Sequence, residues 1–365
     1  MPWGHFLKHW SSIVAPDFAL EDVPGWLRCH DPEKLKKLWE RADQERMRTV
    51  GDCVHLRGLV EISNHCVRSC HYCGISTANM TLKRYRMQHA EILACARQAV
   101  AFGYGTLVLQ AGEDPGLDAQ WVASLIQAIK RSTPLAVTLS LGERTPEELE
   151  LWRASGADRY LLRFETSDRE LFARIHPPRN NQTVSDRIAL LHIIQSLGYE
   201  TGSGIMVGIP GQTYESVARD LQLFRKLNLD MIGVGPYLSH PASPMTPATG
   251  TATGAQQVPA TEQMACIVVA LTRLMCPEAN IPSTTALATI NSNQGRSHGL
   301  TRGANVCMPC LTPVQYRCLY EIYPEKAGSK ITPEDSHNNV LETLTGLNRP
   351  PGRGPGNRAV RATYS

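Results

Sequence analysis

Three cysteines, Cys66, Cys70 and Cys73, share the short stretch EISNHCVRSCHYCGIS at residues 61–76. Their spacing is Cys-x3-Cys-x2-Cys, and His65 and His71 stand beside them. Thiolates at such spacing are metal ligands by chemistry. A tetrahedral zinc ion asks for four ligands, so the three thiolates with either histidine would make a Cys3His site. A cubane [4Fe–4S] cluster normally takes four thiolates. Three would leave one iron open, and an open iron is a binding site for a chelating small molecule. The residue types alone leave both readings open.

The chain holds eleven cysteines, an odd number, so full internal pairing is impossible. In a reducing compartment clustered thiols are more often metal ligands or catalytic groups than disulfides. Cys29, Cys53, Cys95, Cys266 and Cys276 are scattered and read as small buried apolar groups. Cys307 and Cys310 have ligand-like spacing, with Cys318 close behind. On a regular strand, however, 307 and 310 point to opposite faces, which favours buried thiols. A second unusual group is RYLLRFE at 159–165, where Arg159, Arg163 and Glu165 fall on one face of a strand. Charges on an inward face are expensive unless paired. The expectation is that they meet a charged ligand, the alternative being that they pair with one another or point to solvent.

The elements that must position these residues alternate. Apolar, β-branched runs at 55–63, 106–112, 136–142, 159–165, 202–208, 231–237, 282–290 and 304–310 read as strands. Helix-like segments lie near 89–103, 117–131, 146–155, 184–197, 213–227 and 260–275, with capping signatures at Thr145 and Thr213. This predicts an α/β fold, a (βα)8 TIM barrel over 55–323. Residues 1–54 are expected to form an N-terminal helical cover. Residues 324–365 are expected to hold a helix near 333–346 and then a poorly ordered Gly/Pro/Arg-rich tail. In such barrels chemistry sits at the C-terminal ends of the strands. The three cysteines follow the first strand directly, and Gln110, Gly112, Glu113, Thr138 and Ser140 end the next two.

Composition bounds the rest. With 42% hydrophobic residues the chain can bury a core, and a net charge of +3 gives no case for nucleic acid or a membrane surface. No run is long and apolar enough to span a bilayer. The N-terminal stretch lacks the marks of a secretory signal, so the cytoplasm is expected.

Several stretches together resemble one family. They are ISNHCVRSCHYCG, VLQAGEDP, VTLSLGE, ADRYLLRFET, GYETGSGIMVGIPGQT, LDMIGVGPYLSHPASPM, STTALATINSNQG and RGANVCMPCLTPVQYRCLYEIYP. The cysteine loop, QAGED at 110–114 and GSGIMVGIPGQTYE at 202–215 are similar to three successive motifs of radical S-adenosylmethionine (SAM) enzymes. The whole set is similar to the HydE family, the radical SAM maturases of [FeFe]-hydrogenase. The resemblance implies a [4Fe–4S] cluster on Cys66, Cys70 and Cys73, with SAM on its open iron. It implies SAM contacts from Gly112, Glu113, Ser140, Glu165 and Arg187. It further implies an internal substrate cavity lined by Arg57, Gln110, Thr138, Arg159, Met231, Thr284, Thr285, Ala286, Met308 and Tyr320.

The implied substrate is a small or organometallic one, an iron–carbonyl–cyanide–cysteine precursor of the H-cluster diiron site. The implied partners are the other hydrogenase maturases and a reductant such as ferredoxin or flavodoxin. Other expectations weighed against it are a methylornithine synthase-like rearrangement, biotin synthase-like sulfur chemistry, and a zinc-bearing scaffold without chemistry. No residue pair is singled out as a general acid and base. Some family members carry a second cluster on cysteines after the last strand; residues 319–365 here contain no cysteine.

Overall fold

The computed structural model describes residues 22–178, 184–241, 244–245 and 256–358. Strands with apolar side chains on both faces must be covered on both sides, and parallel strands joined through helices meet that demand. β1 (His55–Ser63), β2 (Thr106–Ala111), β3 (Ala136–Ser140), β4 (Arg159–Leu161), β5 (Glu200–Val207), β6 (Met231–Pro236) and β7 (Val306–Cys307) form one sheet in the order β6-β5-β4-β3-β2-β1-β7. Every pairing is parallel. The expected helices are present as His89–Ala101, Ala119–Ser132, Pro146–Ala154, Arg187–Ser196, Tyr214–Lys226 and Glu262–Met275. The capping box at Thr145 is formed: its hydroxyl accepts from the Glu148 amide, and the Glu148 carboxylate accepts from the Thr145 amide.

The run at 282–290 was expected as a strand and is mostly helix. The Thr284 hydroxyl caps Thr285–Ile290, accepting from the Leu287 amide at 3.4 Å, and this stops the extended chain after a few residues. Even so, the ring of strands closes. Extended backbone around 280–283 exchanges bonds with β6 (Ile232 N to Asn280 O, 3.0 Å) and with β7 (Ser283 N to Val306 O, 2.9 Å). The eighth barrel position is thus filled by a minimal strand.

Outside the barrel, the helices Val23–Leu27 and Pro32–Val50 pack against Glu262–Met275. Residues 1–21 of the expected cover lie outside the described residues. The helix expected near 333–346 is Pro333–Gly346.

The tail departs from expectation, for residues 349–358 close the floor of the barrel. Pro351 bridges Val54, and the Gly352 amide donates to the Val54 carbonyl at 2.8 Å. Gly105 leaves room for this approach, since a Cβ there would lie 1.8 Å from the Gly354 carbonyl oxygen. Inward-facing polar groups explain why a Gly/Pro/Arg segment orders itself here. Arg57 donates to the Gly356 carbonyl at 3.0 Å, Thr106 to the Pro355 carbonyl at 2.9 Å, and Asn280 to the Gly356 carbonyl at 3.1 Å. Arg159 is fully buried and donates to the Pro355 carbonyl, Asn357 Oδ1, Thr106 Oγ1 and the Glu200 carboxylate. The tail's carbonyls supply acceptors that an apolar core could not. Residues 359–365 lie outside the described residues.

A stability prediction follows from the floor. Arg159→Met strands the tail's acceptors and the Glu200 carboxylate, itself partly hydrated, so a loss of about 2–3 kcal/mol is expected. Thermal unfolding of Arg159→Met beside a chain ending at residue 348 checks this: both should melt well below wild type. An unchanged melting temperature in both would show that the floor contributes nothing.

Candidate active site

The cysteine loop leaves the top of β1 and is fastened to three neighbours. The Val67 amide donates to the Glu113 carbonyl at 2.9 Å, His71 to the Ile175 carbonyl at 2.9 Å, and Gly74 to the Ile322 carbonyl at 2.9 Å. Gly112, just beyond β2, permits the first contact. A Cβ at this position would sit 2.2 Å from the His65 carbonyl oxygen and 2.8 Å from Cys66 Cβ. All three cysteines are partly buried, and they lie close enough for Cys70 to feel Cys66 and for Cys73 to feel both. Burial pushes the Cys70 thiol up to about 12, with Cys66 and Glu113 adding to the rise. Cys73 rises further, again through burial and then through Cys70 and Cys66. Such a group does not ionise at neutral pH by itself. A metal centre reverses this balance, because the cation stabilises the thiolates directly.

The two histidines look elsewhere. The His71 ring is bonded to the backbone of Arg174. The His65 ring is depressed by burial and faces Arg86, Asp114 and Arg84. Among the described residues no three His, Cys, Asp or Glu side chains are placed to share a single ion. A cubane makes a different demand, one thiolate to each of three irons rather than three on one ion, and three neighbouring cysteines on one loop, Cys66, Cys70 and Cys73, match that donor set.

Beside the thiols lies a web of charge. Arg68 donates to Glu113 at 2.6 Å and pairs with Glu143 at 2.9 Å; Arg187 donates to the far oxygen of Glu143 at 2.9 Å and to the Arg163 carbonyl at 2.7 Å. Glu113 and Arg187 therefore offer a carboxylate and a guanidinium close to Cys70, which feels both charges. Glu143 joins them and was not singled out from the sequence. Its signal was available in the run LGE at 141–143, one residue past a glycine with φ of +83°. Glu165 adopts φ of +62°, a conformation that costs a non-glycine residue energy. Its carboxylate is held by Arg163 at 3.0 Å.

Below this rim is a cavity of about 170 Å³ inside the barrel. Of the residues expected there, Arg57, Gln110, Thr138, Met231, Thr284, Thr285, Ala286 and Met308 line it, and so does Ser140. Arg159 does not, because the tail and Glu200 absorb its guanidinium at the floor. Tyr320 does not line it either; its hydroxyl accepts from Gln110 at 3.3 Å. At the cavity's base, Arg57 Nε and Thr138 Oγ1 are buried without a hydrogen-bond partner among the described residues. Burial, then Arg159, lowers the Arg57 guanidinium to about 9. An anion placed there would satisfy both groups. Arg163, expected on an inward face, lines the cavity too, and Glu61, Tyr323 and Lys326 also line it and were missed. Lys326 and Tyr323 come from the segment between the barrel and the last helix, which sequence spacing does not tie to the core.

Cys307 and Cys310 do part to opposite sides. Cys307 is buried in the apolar core. The Cys310 thiol points to Thr312 at 3.3 Å and Glu61 at 3.7 Å, while Cys318 is exposed.

Iron content distinguishes the two groups of cysteines. Cys70→Ser, which removes one of three thiolates, is expected to lose most of the iron after anaerobic reconstitution, and Cys310→Ser to keep it. Iron and sulfide analysis of the two variants checks this, and equal loss in both would move the metal to the end of the barrel.

Comparison with known proteins agrees with this geometry. Residues 60–224 match the Radical SAM superfamily. The chain is 40% identical to the [FeFe] hydrogenase maturase subunit HydE of Thermotoga maritima, over 94% of each chain. It is 26% identical to a 3-methylornithine synthase of Methanosarcina acetivorans, over 78% of this chain and 77% of that one. The crystal structure of a methylornithine synthase superposes with a TM-score of 0.75 at 23% identity, covering 92% of this chain and 94% of the other. Radical SAM proteins use a [4Fe–4S] cluster and SAM, and three neighbouring thiols beside a carboxylate–guanidinium web are donor sets suited to both. The chain belongs to the HydE family of radical SAM enzymes.

Proposed function

We propose that this enzyme matures [FeFe]-hydrogenase by acting on a small iron-bound precursor that carries carbonyl, cyanide and a cysteine-derived group. The observation that carries this reading is the cavity, closed below by the tail and lined by polar and charged groups as well as methionines. Cys66, Cys70 and Cys73 hold the cluster. When bound, the cluster and SAM supply a 5′-deoxyadenosyl radical for attack on the precursor.

The chain's own residues do the rest. Glu113 receives the amino group of SAM and Arg187 its carboxylate, a match of planar fork to planar acceptor. Gly112, Ser140 and Glu165 complete the SAM site, and Ser140 also faces the cavity. Arg57 and Thr138 bind an anionic ligand of the precursor at the base. Met231, Met308 and Ala286 shape the apolar wall and exclude water, which protects a reactive intermediate from side reactions. A low-potential reductant such as ferredoxin or flavodoxin and the other maturases are its proposed partners.

Adding the protein to a maturation extract that lacks its own HydE tests this directly. Hydrogenase activity is expected to return, and Arg57→Met is expected to restore far less at equal cluster content. SAM cleavage without any recovery of hydrogenase would point to a different substrate.

A further inference from the structure

Glu61 and Lys326 form an ion pair inside the cavity wall, and nothing in the cluster, the SAM web or the anion pocket at the base requires it. Glu61 lies on β1, fully buried, and Lys326 is 6% exposed on the segment that follows the barrel. Both line the cavity. Arg317 pins that segment, donating to the Gly328 carbonyl at 3.0 Å and to the carbonyl of Cys310. The lysine is therefore delivered into the barrel by a fixed piece of chain.

The pair is incompletely used by the protein. The Lys326 ammonium has three N–H groups. One donates to Glu61, and one to the Tyr320 carbonyl at 3.2 Å. No further oxygen acceptor meets it among the described residues, only the Tyr320 ring at 5.0 Å. On Glu61 the second carboxylate oxygen meets just the Cys310 thiol at 3.7 Å, a weak donor. A buried ion pair is a poor device for stability, because well-packed apolar side chains do as well. Its place in a ligand cavity therefore needs another reason. A ligand of one sign would strand one partner in a site of low polarisability. A ligand carrying both signs close together would engage both.

We propose that Glu61 and Lys326 form a binding site for a zwitterionic, α-amino-acid-like group of the substrate. Glu61 receives the ligand's ammonium and Lys326 its carboxylate, the two exchanging each other for the ligand. This rests on the maturase reading and deepens it: the cysteine-derived part of the precursor is held here. The metal-bound anion then lies toward Arg57, four residues down the same strand and so about 13 Å away. Substrate polarity is set along β1, with amino acid at the upper end and inorganic anion at the base.

Direct binding tests the site without turnover. Reconstituted holoenzyme with SAM is titrated calorimetrically with S-methyl-L-cysteine, with 2-(methylthio)ethylamine, which lacks the carboxylate, and with 3-(methylthio)propanoate, which lacks the amine. The zwitterion is expected to bind roughly ten- to a hundredfold tighter than either truncated probe, as loss of one charged hydrogen bond dictates. Lys326→Met should erase the advantage over the amine, and Glu61→Gln the advantage over the acid. Because each single change strands a buried charge, the double variant Glu61→Gln/Lys326→Gln provides a neutral, hydrogen-bonded pair; it should bind all three probes alike. Equal binding or no binding of the three probes by wild type, or a preference that survives in the double variant, overturns the proposal. If the zwitterion preference holds while the extract regains no hydrogenase activity, the site stands and the maturase reading falls. Recovery of hydrogenase without the preference removes the site alone.

Discussion

Charged side chains that point into a barrel must each find a partner, and this one requirement organises the molecule from floor to rim. At the floor, Arg57 and Arg159 draw in the carbonyls of the C-terminal segment. At the cavity wall, Glu61 meets a lysine from the segment after the barrel. At the rim, Arg68, Glu113, Glu143 and Arg187 neutralise one another beside the cysteine loop. The floor and the wall recruit chain from beyond the barrel strands, whereas at the rim the turns after β2 and β3 supply the carboxylates. The supposed break between barrel and C-terminal region near 323 is therefore not a functional boundary, because residues on both sides of it line the cavity.

The same logic governs the thiols. Buried together, Cys70 and Cys73 resist ionisation, so the loop is preorganised for a cationic centre and unfavourable as bare thiolates. The loop is tied to Glu113, Ile175 and Ile322 by its own amides, and the Arg84 guanidinium donates to its carbonyls at Asn64, Ile75 and Ser76. This leaves every cysteine sulfur in the loop available for iron. It also couples the loop to the strand-two turn and to the segment that carries Lys326, so cofactor and substrate regions share one frame.

Much of this was legible in the sequence, for identifiable reasons. The strand and helix periods were strong, and Thr145 and Thr213 marked helix starts that the structure has. The cysteine spacing pointed to a loop whose thiols the structure buries close together beside the charge web. Thr284 was the residue misread, since a β-branched run looked like a strand while its first threonine was serving as a helix cap. Arg159 was legible as an inward charge but not as a satisfied one, because its partners lie in a tail whose composition suggests disorder. Lys326 was invisible for the same reason: a lysine in a loop reads as solvated until tertiary structure shows the carboxylate beneath it. Local pattern reveals which face a residue takes; it does not reveal which distant segment will come to meet it.

The central claim is that the three thiolates leave one coordination site for SAM, held by the charge web above a closed cavity. Electron paramagnetic resonance of the anaerobically reduced protein, with and without SAM labelled at its amino nitrogen and carboxylate oxygens, tests this most directly. The account predicts a [4Fe–4S]+ signal that changes shape on adding SAM and shows hyperfine coupling to both labels. A signal indifferent to SAM, or no iron–sulfur signal in protein that retains its fold, would contradict it.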